Sequence, residues 1–431
     1  MIPASKPVQF PALSLLSPLL LLLTGPESRA EDQNAPPRNY SIPVLGLSDQ
    51  PSFHTVVAKD IDKANQYLGH PSTVLLDDQK TILAAFPTGH GRGALRLRRS
   101  PDGGKSWKAG PNLNVALDEL PTLFTTKLPN GKTRIVLITC VPKTGELQWM
   151  DSDDQGVTWS PLKKQQLKGN QGIIVAFASM WRVQDKSGKP TTTWRGIFHD
   201  YNFDNFTIDL TFKPVGNGWK TTFGNMRTIK FATPAGLTRS HAAQLCEAGV
   251  VRSPKGKKLA LLYRPQKKAT NAMISFSEDE GLNWSDPKEL PGSLTGERHV
   301  ARFAPDGRLL VTFRDYSPLN PGNPTHADWV TWVGRWDDLL NGTEGQYRIR
   351  MKDNYGNSSN RNVGDCGYAA IELLPDDTFV FTSYGHWDLA PGQKHPDGRG
   401  RSPYIIATRF NLSDTDKMVR KDQHLLAIPQ R

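Results

Sequence analysis

The sequence predicts an all-β chain folded as a six-bladed β-propeller. The first observation is an octapeptide, Ser-x-Asp-x-Gly-x-x-Trp, that occurs at Ser100–Trp107, Ser152–Trp159 and Ser277–Trp284. The second is its spacing of 52 and 125 residues, and a degenerate copy at Phe212–Trp219 divides the longer interval into 60 and 65. Units of this size, each with a few short strands, are typical of propeller blades.

Strand-turn-strand patterns account for the remaining blades. The runs ALRLRR and NAMISF precede two of the octapeptides and predict strands that enter a tight turn. Within the turn, the Asp carboxylate can accept bonds from backbone amides and the Gly permits a positive φ. We therefore expect Asp102, Asp154 and Asp279 to be structural. The segments VLLDDQKTILAAF, RFAPDGRLLVTFRD and IELLPDDTFVFTSY have the same pattern without the octapeptide, which brings the blade count to six.

The beginning of the chain predicts export. Lys6 is followed by an apolar run from Leu13 to Leu23 and by small residues at Ser28 and Ala30, the pattern of a signal peptide over residues 1–30. The apolar run is too short to span a membrane. Residues 31–40 are polar and contain proline, so we expect a flexible leader, with the propeller over residues 41–431 and a secreted or periplasmic location.

Composition limits the classes of partner. The formal net charge of +11 favours an anionic partner such as an acidic glycan. Nucleic acid is not expected, because no basic run is interleaved with aromatic residues. Cys140, Cys246 and Cys366 are odd in number and widely spaced, which argues against a disulfide scaffold or a zinc site. We expect no metal and no cofactor, and the oligomeric state is not determined by the sequence.

Candidate functional residues are polar side chains near the start of each blade, because the first strands of a propeller converge on its axis. In chain order, the six predicted blades supply His70, His90, Arg92, Asp118, Glu119, His199, Asp200, Glu247, Arg264, Arg298, His299, Arg314, Asp315, Asp365, Tyr368 and His386.

The octapeptides resemble the Asp-boxes of the sialidase (neuraminidase) superfamily, including its bacterial sialidase-like members. The resemblance extends from about Leu68 to Asn411. In that family a Tyr of the last blade and a Glu at the entry of the fourth form the nucleophile pair. The segments CGYAAIEL and CEAGVV place Tyr368 and Glu247 at these positions, and LLYRPQ places Arg264 at that of a carboxylate-binding arginine.

The sequence departs from the family pattern at three places. His70-Pro71-Ser72 replaces the Arg-Ile-Pro motif of the first blade, and THADWVTW supplies no arginine for the third triad position. The loop FPTGHGRGALRL contains no carboxylate where the family has its acid/base Asp. The resemblance therefore implies a divergent site.

The resemblance implies a secreted exo-glycosidase of the exo-α-sialidase type, which releases terminal acidic sugars from glycans. Sialic acid is the leading expected substrate. Glu247 would take the phenolic proton as Tyr368 attacks. His90, in a glycine-flanked loop, would replace the missing acid, with Asp365 or His70 as alternatives. The expected substrate-binding residues are Arg264, Arg298, Arg314, His70, His299 and His386.

Three alternatives stay open on the sequence alone. Glu247 and Asp365 could serve as the two carboxyl groups of an inverting hydrolase. A uronate-directed hydrolase or lyase would also suit the His, Tyr and Arg residues. A glycan-binding propeller without catalytic activity is the third.

Overall fold

The computed structural model describes residues 39–167, 172–268, 270–315, 323–355, 365–388 and 402–427. The predicted signal peptide and residues 31–38 of the predicted leader lie outside these ranges. The described chain forms six sheets, each with a core of four antiparallel strands, which confirms the predicted six-bladed, mostly β architecture. The first strand of each blade packs against that of the next, and the sixth returns to the first, which closes the ring.

Two short strands, β1 (Val44–Gly46) and β2 (His54–Ala58), precede the first blade. Blade one comprises β3 (Ser72–Leu75), β4 (Ile82–Pro87), β5 (Gly93–Ser100), β6 (Lys108–Ala109) and the accessory β7 (Ala116–Leu117). Blade two comprises β8 (Thr122–Lys127), β9 (Thr133–Val141), β10 (Glu146–Ser152) and β11 (Lys163–Gln166). Blade three comprises β12 (Ile174–Gln184), β13 (Pro190–His199), β14 (Asn205–Val215) and β15 (Gly218–Thr228).

Blade four comprises β16 (Leu245–Arg252), β17 (Leu259–Pro265), β18 (Met273–Ser277) and β19 (Lys288–Glu289). Blade five comprises β20 (Gly296–Phe303), β21 (Leu309–Asp315), β22 (Trp329–Gly334) and β23 (Tyr347–Lys352). Blade six comprises β24 (Gly367–Leu373), β25 (Phe379–Gly385) and β26 (Tyr404–Phe410). The three α-helices of the described ranges are α1 (Pro234–Ala243), α2 (Trp336–Asn341) and α3 (Leu412–Arg420). No helix in these ranges is long and apolar enough to cross a membrane.

The two N-terminal strands complete the last two blades. β2 is the outer strand of blade six and pairs antiparallel with β26, with His54 opposite Thr408. β1 adds to blade five parallel to β23, with Leu45 opposite Ile349. The start of the described chain is therefore bonded to strands near its end, and β2 covers the edge that β26 would otherwise expose.

The octapeptides form the same turn in all three copies and join the third and fourth strands of blades one, two and four. In the second copy Ser152 Oγ donates to Asp154 Oδ1 at 2.9 Å, and Asp154 Oδ1 accepts the Thr158 amide at 2.9 Å. The other copies repeat these bonds around Asp102 and Asp279. The degenerate copy forms the β14–β15 hairpin, the equivalent connection of blade three.

Apolar side chains fill the space between neighbouring blades. Trp329 and Phe381, both less than 2% exposed, belong to one cluster between blades five and six, and Phe177 and Phe198 to another between blades two and three. Burying each such side chain contributes about 1.5–3 kcal/mol. Cys140, Cys246 and Cys366 are buried free thiols. This packing holds the inner strands, whose ends carry the candidate site.

Candidate active site

Three blades present a side chain from the same bulge at the start of their first strand. The strand register jumps between Cys246 and Gly249 in β16, and equivalent jumps occur in β20 and β24. A bulge redirects the side chain that it carries, and a positive φ at a residue other than glycine is costly and concentrates at functional sites. The bulge residues have φ values of 48°, 60° and 49°, for Glu247, Arg298 and Tyr368.

The second strand of each of these blades presents a facing side chain. Arg264 lies opposite Cys246, Arg314 opposite Glu297, and Tyr384 opposite Gly367. Two equivalent positions in each of three blades therefore build most of the site. The bulge of blade four also approaches blade five closely: a Cβ at position 249 would lie 2.0 Å from the backbone oxygen of residue 299, so a glycine is required there.

Tyr368 and Glu247 form a hydrogen-bonded pair. The Tyr368 hydroxyl donates to Glu247 Oε1 at 2.6 Å, and Arg264 Nη1 donates to the same oxygen at 2.9 Å. Burial alone would raise the pKa of Glu247, but the charge of Arg264, the bond from Tyr368 and the charge of Arg298 outweigh it and lower the pKa to about 2. Burial and the Glu247 charge raise the pKa of Tyr368. At neutral pH a carboxylate therefore faces a neutral phenol.

Arg298 lies against the same tyrosine. Its guanidinium carbon is 5.3 Å from the centre of the Tyr368 ring, within the range of a cation–π contact, and Nη1 donates to the Ala178 carbonyl at 2.6 Å. This contact fixes the side chain beside the pair formed by Tyr368 and Glu247.

Glu297 organises the cations, and the sequence analysis did not single it out. Arg314 Nε donates to Glu297 Oε2 at 2.8 Å, and Lys268 Nζ lies 3.2 Å from Oε1. Arg264 Nε is also 3.2 Å from Oε1, in an ion pair without hydrogen-bond alignment. One buried carboxylate thus pairs with both Arg264 and Arg314 and holds them in the site.

Asp365 and His90 form a second pair. Asp365 accepts from His90 Nδ1 at 2.6 Å, from the Tyr384 hydroxyl at 2.8 Å, from Arg314 Nη1 at 3.2 Å and from the Tyr67 hydroxyl. Burial would raise the pKa of Asp365, but these bonds and charges hold it well below its usual range. The bond to Asp365 raises the pKa of His90 against the effect of burial. His90 keeps 69% of its side chain exposed, so the imidazole is available to a ligand.

His70 lies behind this pair and is 3% exposed. Burial lowers its pKa to about 3, so the ring is neutral. The Gly91 amide donates to Nδ1 at 3.2 Å, which leaves the proton on Nε2, 3.1 Å from the Tyr384 hydroxyl. Its ring centre is 4.6 Å from that of Tyr368. A buried and neutral ring in this position is better suited to orient Tyr384 and Tyr368 than to donate a proton to a substrate.

The other two histidines that the sequence predicts to bind substrate are His299 and His386. His299 is 1% exposed, with Nε2 bonded to the Leu294 carbonyl at 2.9 Å and its ring 4.9 Å from that of Phe313. The residue lines the cavity along the propeller axis, but its side chain is buried, because the bulge directs Arg298 toward the site and the next residue toward the blade interior. Its substrate-binding role stays a prediction. His386 is half-buried and donates its amide to Asn354 Oδ1 at 3.0 Å. Its substrate-binding role stays a prediction.

A cavity of about 560 Å³ runs along the propeller axis and is lined by the first strands of all six blades. His70, Arg298 and Tyr368 line the end at which these strands begin. Tyr368, together with Arg298, therefore borders this cavity, and its partner Glu247 lies behind it.

Two trios within the described residues have donor atoms close enough together to hold a metal ion: His70, His90 and Asp365, and His199, Cys246 and Glu247. In both trios the carboxylate already balances an arginine, since Asp365 pairs with Arg314 and Glu247 with Arg264. A second positive charge would be opposed by these guanidinium groups. We assign no metal to either trio.

Several residues of the site were missed or left unassigned in the sequence analysis. Glu297 precedes Arg298, and Tyr384 follows the same strand pattern as Arg264 and Arg314. An alignment of the blades on their bulges would have found both. Tyr67 and Glu119 lie at the entries of blades one and two, where sequence pattern alone gives no direction for the side chain.

Comparisons with known proteins identify the fold. No protein-family model and no curated protein sequence matches the chain. Among solved structures, an alpha-L-arabinanase of Penicillium chrysogenum complexed with arabinobiose matches with a TM-score of 0.52 and 11% identity, over 84% of this chain and 98% of the other. An intramolecular trans-sialidase of the leech, complexed with 2,7-anhydro-Neu5Ac, matches with a TM-score of 0.52 and 11% identity, over 84% and 70%.

A mutant alpha-L-arabinofuranosidase of Fusarium graminearum, in complex with an iminosugar inhibitor, matches with a TM-score of 0.51 and 12% identity, over 84% of this chain and 99% of the other. At these identities the likeness is one of fold. The chain thus has the six-bladed propeller fold that these glycoside-cleaving enzymes share.

Proposed function

We propose that the protein is a glycoside hydrolase that removes terminal acidic sugars from glycoconjugates, with α-linked sialic acid as its main substrate. The observation that carries this proposal is the 2.6 Å bond from Tyr368 to Glu247, with Arg264 on the same carboxylate oxygen. A phenol aimed at a buried carboxylate is an activated nucleophile. Tyrosine is the nucleophile of sialidases, an exception among glycosidases.

The charge of the site favours an anionic substrate. At neutral pH four cations, Arg264, Arg298, Arg314 and Lys268, accompany three carboxylates, Glu247, Glu297 and Asp365. Glu119, whose pKa is about 7, adds a carboxyl group that is only partly ionised. A protonated His90 adds a further positive charge. The excess is positive, and a planar guanidinium binds a carboxylate through two parallel hydrogen bonds. A sugar with a carboxylate beside its anomeric carbon would neutralise this excess positive charge.

The proposed reaction begins with attack of Tyr368 Oη on the anomeric carbon. Glu247 takes the phenolic proton, and the glycosidic C–O bond breaks as His90 gives a proton to the leaving oxygen. In the second half-reaction His90 takes a proton from water, the water oxygen attacks the anomeric carbon, and the bond to Tyr368 Oη breaks. Glu247 then returns its proton to the phenolate. A neutral nucleophile avoids repulsion by the substrate carboxylate.

The pKa values disfavour the inverting alternative. That mechanism needs one carboxyl group to be protonated at working pH. Glu247 has a pKa of about 2, and the pKa of Asp365 is also strongly lowered. Both groups are carboxylates, so neither is suited to protonate a leaving group. His90, whose pKa is raised, is the better donor.

Two assays on the purified protein test the proposed function. A fluorogenic aryl α-sialoside should be hydrolysed by the wild type, and Tyr368→Phe, which keeps the ring, should lose at least about 10²-fold of that rate. An ultraviolet assay for unsaturated products on uronic glycans covers the lyase alternative. Product in the second assay alone, or glycan binding without turnover in either, would contradict the proposal.

We also propose export from the cytoplasm on the basis of residues 1–30. Expression of the full chain in a Gram-negative host, followed by N-terminal sequencing of the periplasmic or medium fraction, tests it. The expected N-terminus lies near Glu31, and retention of the intact chain in the cytoplasm would contradict it.

A further inference from the structure

Blade two brings to the rim of the site a carboxyl group that the proposed reaction does not use. Glu119 Oε1 accepts the Leu120 amide at 3.2 Å. The same oxygen lies beside the His90 loop, since a Cβ at Gly91 would be 3.4 Å from it. Glu119 also interacts electrostatically with His90 and Glu247. It therefore belongs to the wall of the site on the His90 side.

Glu119 differs from the other carboxyl groups of the site in its partners. Among the described residues, no lysine or arginine forms an ion pair with it. The titratable groups that face it are His90 from blade one, Glu247 from blade four, Tyr201 from blade three and Cys140 from the neighbouring strand. Burial, with Glu247 adding to it, raises the pKa of Glu119 to about 7. Below that pH it is a neutral carboxylic acid that can donate a hydrogen bond.

An exposed aromatic ring accompanies this group. Tyr201, in the turn between β13 and β14, is 53% exposed. Its ring lies on the backbone of Gly172, where a Cβ would be 2.4 Å from Tyr201 Cδ2. Both residues border the same end of β9: Thr139 Oγ1 donates to the Glu119 carbonyl at 2.8 Å, and Cys140 Sγ donates at 3.4 Å to the carbonyl of Ile173, the residue after Gly172. Burial and then the Glu119 charge raise the pKa of Tyr201. A ring supported on one side offers a fixed apolar face at low entropic cost.

We propose that Glu119 and Tyr201 form a subsite for the sugar on the leaving-group side of the scissile bond. The ligand is a neutral sugar ring: its apolar face packs on Tyr201 and one of its oxygens accepts a hydrogen bond from the Glu119 carboxyl. His90 neighbours Glu119, which places this subsite on the side from which the leaving oxygen is protonated. The inference rests on the proposed hydrolase function and makes the preferred substrate an oligosaccharide.

Two substrates with the same terminal sugar separate the subsite from the rest of the site. Sialyllactose has a disaccharide as its leaving group, whereas the leaving group of α-sialyl fluoride is a fluoride ion without a sugar. Tyr201→Ala should raise KM for sialyllactose about 2- to 10-fold, as expected for loss of a ring contact, and leave KM for the fluoride unchanged. Tyr201→Phe keeps the ring and should resemble the wild type.

The pH dependence of KM tests Glu119. In the wild type, KM for sialyllactose should rise as pH increases through about 7, because the Glu119 carboxyl then loses the proton that it donates. Glu119→Gln, which is neutral at every pH, should remove this rise. Asp118→Asn, at the exposed neighbouring carboxylate, is the matched control and should keep it.

Three results would overturn the subsite. An equal rise of KM for the fluoride in Tyr201→Ala would show a general disturbance of the site. A large fall of kcat for sialyllactose in Glu119→Gln, with KM unchanged, would make Glu119 a proton donor instead of a binding residue. Turnover of neither substrate by the wild type would contradict the hydrolase function itself, and the subsite with it.

Discussion

Replacement of Glu247 by glutamine removes one negative charge and keeps the shape of the side chain. In the wild type this carboxylate accepts from the Tyr368 hydroxyl and from Arg264, at 2.6 and 2.9 Å. The amide oxygen can still accept from Arg264, but an amide cannot take the phenolic proton at neutral pH. Because a positioned general base contributes about 10²–10⁴-fold, Glu247→Gln should lower kcat by that factor.

The same variant should lose stability in a pH-dependent way. The pKa of Glu247 falls from 4.5 to about 2 on folding. A carboxylate with a lowered pKa stabilises the fold above its unfolded pKa, and this contribution disappears as pH falls through the folded pKa. This pKa shift corresponds to a contribution of about 3 kcal/mol to the free energy of unfolding at pH 7. The difference in unfolding free energy between wild type and variant should therefore shrink between pH 4.5 and pH 2.

Steady-state kinetics on an aryl sialoside and urea unfolding at pH 7 and pH 3 measure both effects. Glu280→Gln is the matched control, because Glu280 pairs with Arg252 at 2.7 Å in the same blade but outside the site. It should leave kcat unchanged. A folded Glu247→Gln variant with kcat within a few-fold of the wild type would refute the role of Glu247 as the base.

Three further predictions follow from the geometry. Arg264→Lys loses the planar group that contacts both Glu247 and Glu297 and should lower kcat/KM by about 10- to 150-fold, the factor for loss of a charged hydrogen bond; unchanged kcat/KM would contradict the assignment. Asp154→Ala removes the acceptor of the octapeptide turn and should lower Tm in a thermal scan without changing activity per folded molecule; a stable but inactive variant would refute the structural role. His90→Ala should slow sialyllactose far more than aryl sialosides and remove the fall of kcat as pH rises past the raised pKa of His90; equal slowing with an unchanged pH profile would make His90 a binding residue.

The repeated octapeptide carried most of the fold prediction. Its turn is local, built from side chains two to four residues apart, so the sequence alone reveals it and the blade spacing follows. The degenerate copy at Phe212–Trp219 was found through its glycine and tryptophan and is the expected hairpin of blade three. The pairing of His54 with Thr408 has no local signal, because it joins strands from opposite ends of the chain.

The candidate site was predictable where a residue type was unusual for its position. Glu247, Arg264 and Tyr368 were singled out at strand starts or within apolar runs, and the structure brings their side chains into contact. Glu297 was missed because the direction of its side chain depends on a bulge, which one sequence without blade alignment does not reveal. The same bulge explains why the side chain of the histidine after Arg298 is buried.

Covalent trapping tests the central claim, that Tyr368 is the nucleophile, most directly. A fluorinated sialyl fluoride that reacts quickly but hydrolyses slowly should label the wild type once per chain, and peptide mass spectrometry should locate the sugar on Tyr368. Tyr368→Phe should remain unlabelled under the same conditions. A wild type that turns over sialosides but carries the label on Glu247, or carries none, would contradict the account.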